Sequence, residues 1–325
     1  PVRRQPVRGR AGAGALPAER LRERLARWYA GAARDLPWRR TRDAYAVWVS
    51  EIMLQQTTVV AVLPYWERFL RTLPTVRALA DAPEERVLEL WSGLGYYRRA
   101  RMMHEAARRL VAAGRETLPE TLAELRALPG IGAYTAAAIG SIVFGIPEPV
   151  VDGNVERVLA RLQCIDGDPR GGESARRIAG LARTLLDVDH PGDWNQAVME
   201  LGALVCTPRA PACARCPWSG LCGAERSGTP ERWPGARERR APVDVVRAAA
   251  LVRDARGRVL VRRVSVGEHN AGLLELPSAT LDEAAAGPRW AAVLASSLGL
   301  KVRPGVTRGR VRHAITHHRI TTHLV

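Results

Sequence analysis

The chain has 325 residues, a formal net charge of +16 and a pI of about 10.9. Its length allows two domains, and its charge favours a polyanionic partner, with nucleic acid ahead of an anionic membrane surface. No stretch reaches about 18 consecutive apolar residues, so no transmembrane helix is predicted.

The N-terminal segment, residues 1–15, is basic and rich in Gly and Arg. It lacks the apolar core of a secretory signal, and we expect a disordered tail that contacts nucleic acid nonspecifically. Without an export signal the expected compartment is a reducing cytosol, where cysteines are more often metal ligands or free thiols than disulfides.

Helical periodicity dominates from Leu16 to about Val205. Apolar residues recur at spacings of three and four, which predicts a succession of helices. Clear examples are Leu21-Leu25-Trp28-Tyr29 and Val155-Val158-Leu159-Leu162.

A short apolar turn, Leu128-Pro129-Gly130-Ile131-Gly132, opens an alanine-rich helix, and Asp152-Gly153-Asn154 opens another. Glycines in such a turn can take positive φ and leave backbone N–H groups accessible. At a helix start those groups attract phosphate. An acid close to a phosphate-binding turn suggests chemistry on DNA. The alternative is a glycine turn between core helices, with Asp152 as an ordinary N-cap.

Four cysteines follow in the pattern C-x6-C-x2-C-x5-C. This spacing indicates metal ligands. Structural zinc sites usually combine two C-x2-C pairs, whereas one pair flanked by single cysteines is better suited to an iron–sulfur cubane; zinc remains the alternative. The ligands would be Cys206, Cys213, Cys216 and Cys222. Cys164 continues a helical apolar pattern and is predicted to be a buried core thiol.

The pattern changes after residue 225. Residues 226–245 are rich in Arg, Pro and Gly and are predicted to be a linker. Beyond it, Arg247–Val252 and Arg258–Val264 predict a hairpin around Asp254–Gly257, and Val311–Leu324 predicts a strand. We therefore expect a small α+β domain over residues 246–325. Because the sequence stops within an apparent strand, this domain is expected to be incomplete at its C-terminus.

Five sequence motifs occur in the order found in adenine DNA glycosylases of the MutY type. The chain resembles that family over about 200 residues. The resemblance implies a mainly α, two-lobed helix–hairpin–helix glycosylase domain over residues 16–225. It also implies a four-iron, four-sulfur (4Fe-4S) cluster in a loop over residues 206–222. The C-terminal domain would resemble a nudix hydrolase and read 8-oxoguanine. The motifs are Val49–Thr57, Gly93–Tyr97, Leu128–Gly132, Val151–Val155 and the cysteine quartet.

Two carboxylates suit the cleavage of an N-glycosidic bond, which needs a proton on the leaving base and negative charge beside a cationic sugar. Glu51 has the apolar neighbours Val47, Trp48 and Leu54 at helical spacing, which favours a protonated general acid. Asp152 begins a helix, where N–H groups favour its ionised form. A solvated helix glutamate and a simple N-cap are the alternatives. Asn154 is expected to orient the sugar or Asp152.

Position 134 separates two reaction types within the resemblance. Relatives of the endonuclease III type carry a lysine there, whose amine attacks the sugar as a Schiff base. This chain has Tyr134, and its only lysine is Lys301. We therefore expect a monofunctional glycosylase, with the Tyr134 hydroxyl beside the sugar.

The resemblance also implies binding residues. Trp38, Arg39 and Leu54 match positions lining the adenine pocket, with Arg34 nearby; Gln56 and Tyr96 match positions that wedge into the duplex. Gly130 and Gly132 would bind phosphate, Thr316 and His317 would contact the lesion, and Arg98, Arg99 and Arg101 are further candidate phosphate contacts.

In the C-terminal domain, Gly272–Pro277 resembles the start of a nudix box. The run Arg289–Leu300 contains no carboxylate. Since a pyrophosphatase needs acidic residues to hold magnesium, this domain is expected to bind rather than hydrolyse.

The resemblance, together with these residues, implies a DNA N-glycosylase that removes adenine opposite 8-oxoguanine or guanine. The alternatives are an endonuclease-III-like pyrimidine or mismatch thymine glycosylase and a noncatalytic iron–sulfur module that binds DNA damage. The expected partner is double-stranded DNA containing adenine opposite 8-oxoguanine, with no membrane partner. We expect a monomer in the cytoplasm, associated with a bacterial nucleoid.

Overall fold

The computed structural model describes residues 17–235, 241–265, 272–281, 309–315 and 317–324, together with residues 296 and 299. The chain divides into two compact units, residues 1–237 and 238–325. The tail 1–15, Lys301, Thr316 and most of 289–300 lie outside the described residues. Among the helices that the structure describes, none is long and apolar enough to cross a membrane.

The first unit is helical, as the sequence predicts. Its described part contains twelve α-helices: α1 Ala18–Ala32, α2 Ala44–Leu54, α3 Val59–Thr72, α4 Val76–Asp81, α5 Glu84–Trp91, α6 Arg98–Ala112, α7 Leu122–Ala127, α8 Ala133–Phe144, α9 Gly153–Leu162, α10 Gly172–Leu185, α11 Pro191–Leu204 and α12 Gly223–Arg226. Short 3-10 turns cover Pro37–Arg39, Cys213–Arg215 and Pro230–Arg232.

Side-chain caps fix the starts of the helices that carry the site. Asp43 accepts a hydrogen bond of 2.6 Å from the Ala46 N–H at the start of α2. Asp152 caps α9 by accepting from the backbone N–H groups of Asn154 and Val155. Such caps satisfy N–H groups that the helix itself leaves unpaired, so the capped ends of α2 and α9 are well defined.

Two cores support two lobes. Leu21 and Leu25 of α1 pack with apolar residues of α9, α10 and α11 and with Trp218. The second core lies between α2 and α8 and contains Val47, Ala138 and Ile142. The periodic residues Val155, Val158, Leu159 and Leu162 are all buried, as predicted. α11 packs against both α8 and α9, so the two cores meet along this helix.

The turn between α7 and α8 is the predicted hairpin. Gly130 has φ +81°, and a Cβ there would lie 3.0 Å from the Cβ of Met102, so this position requires glycine. Gly132 instead has φ −84° and serves as the N-cap of α8. Only one of the two glycines therefore uses positive φ, while exposed Gly132 leaves open space beside the helix start.

The cysteine loop follows α11 and ends at α12. The prediction that Cys164 is a buried core thiol needs correction. Helix α9 ends at Leu162, and Cys164 lies two residues beyond it with φ +49° and is only half-buried. The apolar periodicity did not reveal that the helix stops before this thiol.

The described part of the second unit contains a four-stranded sheet in the order β4-β1-β6-β5 and a two-stranded sheet β2-β3. β1 pairs with β6 in parallel and with β4 antiparallel, and β5 and β6 form an antiparallel hairpin. The strands are β1 Val243–Ala249, β2 Arg262–Arg263, β3 Leu274–Glu275, β4 Ser278–Leu281, β5 Gly309–Ile315 and β6 His318–Leu324.

Two strand predictions need correction. The hairpin predicted around 254–257 is present but short: Arg253 bridges Val259, and the N–H groups of Asp254 and Leu260 donate to the carbonyls of Arg258 and Val252. The preceding strand β1 pairs instead with β4 and β6. The single strand predicted over Val311–Leu324 is two strands that reverse between Ile315 and His318. A pattern of Thr, Val and Ile does not distinguish one long strand from a tight hairpin.

Candidate active site

A cavity of about 210 Å³ lies between the two lobes of the first unit. Residues of α2, α8, α9 and α11 line it together with the Pro37–Arg39 turn. Every catalytic and base-binding residue predicted from the sequence borders this cavity; their chemical roles remain predictions. These residues are Glu51, Asp152, Tyr134, Asn154, Trp38, Arg39, Leu54 and Arg34.

Glu51 is buried, with 7% of its surface exposed. Burial raises the pKa of its carboxyl, and the charge of Asp152 raises it further; a hydrogen bond from Tyr134 and the charge of Arg39 oppose these effects. The resulting pKa is about 7. Its burial excludes the alternative of a solvated helix glutamate. With this pKa a substantial protonated fraction persists near neutral pH, as a general acid requires.

Asp152 is fixed by its own helix. Its Oδ1 accepts from the N–H groups of Asn154 at 2.9 Å and Val155 at 2.8 Å, and its Oδ2 accepts from Asn154 Nδ2 at 3.0 Å. The N-cap interpretation is therefore correct as geometry. It is compatible with a chemical role, since the capped carboxylate also borders the cavity.

Arg157 connects Asn154, the hydrogen-bond partner of Asp152, to the cysteine loop. Its Nη2 donates to Asn154 Oδ1 at 2.9 Å and to the Gly202 carbonyl at 2.8 Å, while its Nε donates to the Cys206 carbonyl at 2.7 Å. No sequence signal marks this role, because Arg157 resembles any charged residue on an amphipathic helix. Its contacts therefore extend from Asn154 to Cys206 of the quartet.

Tyr134 begins the first turn of α8 and reaches Glu51. Its hydroxyl donates a hydrogen bond to the Met199 sulfur at 3.5 Å and lies close enough to the Glu51 carboxyl for each group to shift the pKa of the other. Burial, followed by the charges of Glu51 and Asp152, raises the pKa of Tyr134 well above its ordinary value. The hydroxyl is therefore a neutral donor beside the two carboxyl groups.

Glu200 of α11 is a cavity residue that the sequence analysis missed. It is 1% exposed and accepts from Arg34 N, Nε and Nη2 at 2.9, 2.8 and 2.7 Å and from Arg39 Nη2 at 2.9 Å. Burial alone would raise its pKa, but these hydrogen bonds and the Arg39 charge outweigh burial and lower it to about 2. A lone acid in the apolar run 197–201 was the available signal.

Trp38 and Leu54 supply apolar walls. Trp38 is 6% exposed and meets Trp66 edge-on with ring centroids 5.8 Å apart. Leu54 is the last residue of α2 and borders the cavity. An aromatic and an aliphatic wall beside the Glu200–arginine cluster form a site suited to a planar ligand with polar edges.

The residues predicted to contact duplex DNA lie in other parts of the structure. Gln56 is exposed with φ +57°, and Tyr96 is 43% exposed with φ +49°. Gly130 and Gly132 lie at the start of α8. In the second unit, His317 lies in the turn between β5 and β6 with its ring 4.1 Å from that of His318. Thr316 lies outside the described residues.

The four cysteines of the quartet line a second cavity together with Arg161, and Cys164 does not border it. Four thiols around one cavity can supply the four ligands of a cubane, which spreads its ligands over several irons.

Arg161 supports the same loop and is 2% exposed. Its Nη1 lies 3.4 Å from Cys206 Sγ and donates to the Thr207 carbonyl at 2.7 Å; Nη2 donates to the Pro208 carbonyl at 2.9 Å. A buried cation beside thiolate ligands offsets their negative charge. It follows Arg157 by one helical turn, so both arginines present donors on the face of α9 that meets the loop.

Two protein-family matches agree with these features. Residues 49–184 match the HhH-GPD superfamily of base excision DNA repair proteins, and residues 206–222 match the iron–sulfur binding domain of endonuclease III. The second match confirms the iron–sulfur prediction for the cysteine quartet: the cofactor is a 4Fe-4S cluster.

Curated relatives are named adenine DNA glycosylase. The chain is 49% identical to the protein of Homo sapiens over 215 residues, which covers 63% of this chain and 39% of that protein. It is 44% identical to the protein of Arabidopsis thaliana over 232 residues, covering 63% and 37%. The chain thus spans about two-fifths of the length of these relatives.

Solved structures share the fold. A thermostable thymine-DNA glycosylase superposes with a TM-score of 0.58 at 27% identity, covering 65% of this chain and 97% of that one. A non-covalent endonuclease III–DNA complex superposes with a TM-score of 0.56 at 21% identity, covering 66% and 98%, and supports the fold alone. Residues 49–184 of this chain thus form an HhH-GPD domain of the base excision DNA repair type, and residues 206–222 carry the iron–sulfur binding motif of endonuclease III.

Proposed function

We propose that this chain is a monofunctional DNA N-glycosylase that removes adenine mispaired with 8-oxoguanine or guanine. The observation that carries the proposal is the pair of unlike carboxyl groups in one cavity. Glu51 is buried with a pKa of about 7, whereas Asp152 is held by three hydrogen bonds. The name of the relatives that the chain resembles supports the choice of adenine.

In the proposed reaction, Glu51 donates its proton to a ring nitrogen of the adenine. The bond between the sugar C1′ and the base breaks, its electron pair leaves with the base, and positive charge develops on the sugar. The Asp152 carboxylate stabilises that charge. Water then adds to C1′ and gives up a proton that returns to the Glu51 carboxylate, which yields free adenine and an abasic sugar. Tyr134 and Asn154 hold the two carboxyl groups in place.

Recognition of adenine would use the opposite wall of the cavity. The Glu200 carboxylate is an acceptor for an exocyclic amine, and the Arg34 and Arg39 guanidinium groups are donors for ring nitrogens. Because Arg34 remains partly exposed, at 36% of its side chain, it can contact a bound base without breaking every bond to Glu200. A thymine, which has carbonyls in place of the amine, would meet the Glu200 carboxylate unfavourably.

The target nucleotide has to leave the stack, since the bond cleaved is inaccessible in a duplex. We propose that Gln56 and Tyr96 occupy the gap and that the Gly130–Gly132 turn binds backbone phosphate through its N–H groups. Because the chain carries a formal net charge of +16, its binding to DNA should depend strongly on salt.

The 4Fe-4S cluster would be held by Cys206, Cys213, Cys216 and Cys222. When bound, it supplies the covalent links that order the loop. Arg157 and Arg161 connect that loop to α9 and hence to Asp152. The cluster's contribution to excision would thus be indirect.

For the rest of the chain we propose a glycosylase domain over residues 16–225, a linker over 226–245 and a nudix-like domain over 246–325 that reads 8-oxoguanine without hydrolysing nucleotides. Its contact residues would be Thr316 and His317. We further propose a monomer acting in the bacterial cytoplasm on nucleoid DNA. His317→Ala should then reduce the preference for 8-oxoguanine over guanine while adenine excision itself persists.

The decisive experiment incubates the protein with labelled duplexes and then cleaves abasic sites with alkali. Duplexes with adenine opposite 8-oxoguanine, adenine opposite guanine, and thymine opposite guanine are compared. Cleavage at adenine supports the proposal. Cleavage only at thymine would favour the activity named for the solved thymine-DNA glycosylase, and binding without cleavage would favour a noncatalytic damage-binding module.

A further inference from the structure

Arg99 makes an unusual set of contacts for one side chain. It lies in the first turn of α6, and its two terminal nitrogens reach the end of α2 and two separate loops. Nη1 donates to the carbonyls of Ile52 at 2.9 Å, Met53 at 2.8 Å and Gln55; Nη2 donates to Thr57 Oγ1 at 3.1 Å and to the carbonyls of Leu94 at 3.3 Å and Gly95 at 3.2 Å.

The contacts at α2 act as a C-terminal cap. The last carbonyls of a helix have no partner within it and favour a nearby cation. α2 has no basic residue in its last turn, so Arg99, 46 and 47 positions away in sequence, supplies that charge. The end of the helix that carries Glu51 is thereby tied to α6.

The contacts in the loops surround two strained residues. Gln56 and Tyr96 have φ of +57° and +49°, a region that residues with side chains seldom adopt. Gln55 and Thr57 flank the first, and Leu94 and Gly95 precede the second. The guanidinium also lies 5.6 Å from the centre of the Tyr96 ring. Such strain persists only where the surroundings hold it, and it concentrates at functional sites.

We propose that Arg99 is a positioning residue that holds Gln56 and Tyr96 as a matched pair of wedges at a fixed separation. This inference rests on the proposed function, in which both side chains enter the duplex when adenine is extruded. With both terminal nitrogens engaged by the protein, Arg99 is not available for the phosphate contact predicted from the sequence. One guanidinium ensures that the two loops are ordered together rather than separately.

Arginine suits this role better than lysine. Six acceptors surround a planar fork of donors, whereas an ammonium group has three donors at a single point. Burial lowers the pKa of Arg99 to about 10, which still leaves the group charged at neutral pH. Arg99→Lys therefore keeps the charge and removes the simultaneous contacts. Arg109→Lys, at the exposed end of the same helix with a single partner in Glu105, is the matched control.

The first test needs no DNA and measures amide hydrogen exchange of the full protein with its cluster. We expect Arg99→Lys to speed exchange by about tenfold or more in both segments 55–58 and 93–97. Exchange in α9 and α11 should not change, and Arg109→Lys should match the wild type throughout. Unchanged exchange in either loop, or faster exchange across the whole unit, would overturn the proposal.

The second test is a mutant cycle read by 2-aminopurine placed beside the target adenine, whose fluorescence rises on extrusion. Arg99→Lys should slow extrusion by about tenfold in the wild-type background and less than about twofold in Gln56→Ala/Tyr96→Ala, because its effect passes through those side chains. Equal slowing in both backgrounds would indicate a general structural role and overturn the proposal. If the wild type excises no adenine, the proposed function fails, while the exchange experiment still decides whether Arg99 orders the two loops.

Discussion

Glu51 and Asp152 border the same cavity, and the charge of Asp152 helps to raise the pKa of Glu51. The two carboxyl groups are held differently. Asp152 accepts three hydrogen bonds from its own helix and Asn154, while Glu51 is buried in α2 with the Tyr134 hydroxyl beside it. One group is thus suited to hold a proton and the other to hold a negative charge.

The pH dependence of excision follows from this pair. Because the pKa of Glu51 is about 7, its proton is present at lower pH and is lost as pH rises through 7. Single-turnover excision of adenine should therefore fall about tenfold per pH unit above that value. Glu51→Gln should lose excision at all pH values while duplex affinity remains near that of the wild type. A mutant with normal single-turnover rates would show that Glu51 is not the acid.

The same pKa predicts a stability effect that also falls as pH rises. A carboxyl whose pKa is higher in the folded than in the unfolded chain stabilises the fold at low pH, and this contribution is lost as pH rises through the folded pKa. For Glu51, that window extends from about 4.5 to about 7. Glu51→Gln should gain up to about 3 kcal/mol relative to wild type at pH 8 compared with pH 4. Denaturant unfolding at both pH values measures it, and a pH-independent difference would contradict it.

Gly202 controls the position of Asn154. A Cβ at 202 would lie 2.6 Å from the Asn154 Cβ, closer than real contacts allow. Gly202→Ala should displace Asn154 and slow excision about a hundredfold, because small misplacements at a reacting centre are costly. Gly180→Ala is the control: it lies within α10 with open space around it and should leave the rate unchanged. Wild-type rates for Gly202→Ala would refute the assigned role of Asn154.

Iron content tests the cysteine assignment. Isolated without metal stripping, the protein should be brown and contain about four irons per chain. Cys216→Ser should lower the iron content and destabilise the loop, whereas Cys164→Ser should retain both, since Cys164 does not border the quartet cavity. Metal analysis and the visible spectrum provide the readout. Stoichiometric zinc without iron, or loss of iron in Cys164→Ser, would contradict the assignment.

The sequence predicted those parts of the site that depend on local signals. Glu51 was identifiable from the apolar residues around it within one helix, and Asp152 from its place at a helix start. Glu200 was not, because the arginines that define it lie 161 and 166 residues away along the chain. The contacts of Arg157 and Arg99 are likewise set by packing between helices.

The same distinction applies to the fold. Helices were predictable because their periodicity is local, and the mainly helical architecture is confirmed. The pairing of β1 with β6 joins segments about 75 residues apart in the chain, a relationship that no periodicity encodes. Hairpin geometry at residues 315–318 depends on the turn rather than on strand composition.

Tyr134 provides the last prediction. A covalent adduct that borohydride can trap requires an amine beside C1′. In the described part of the chain, Tyr134 reaches Glu51 and borders the cavity with Asp152, and the only lysine in the sequence is Lys301. Wild-type protein should therefore give little trapped adduct and should cut the strand only after alkali. Tyr134→Lys should gain a measurable adduct, because its amine would occupy the position of the hydroxyl; Lys301→Ala should behave as wild type.

The three proteins are compared on one gel with adenine opposite 8-oxoguanine. A strong wild-type band that persists in Lys301→Ala would mean that another amine attacks the sugar, and the monofunctional assignment would then be wrong.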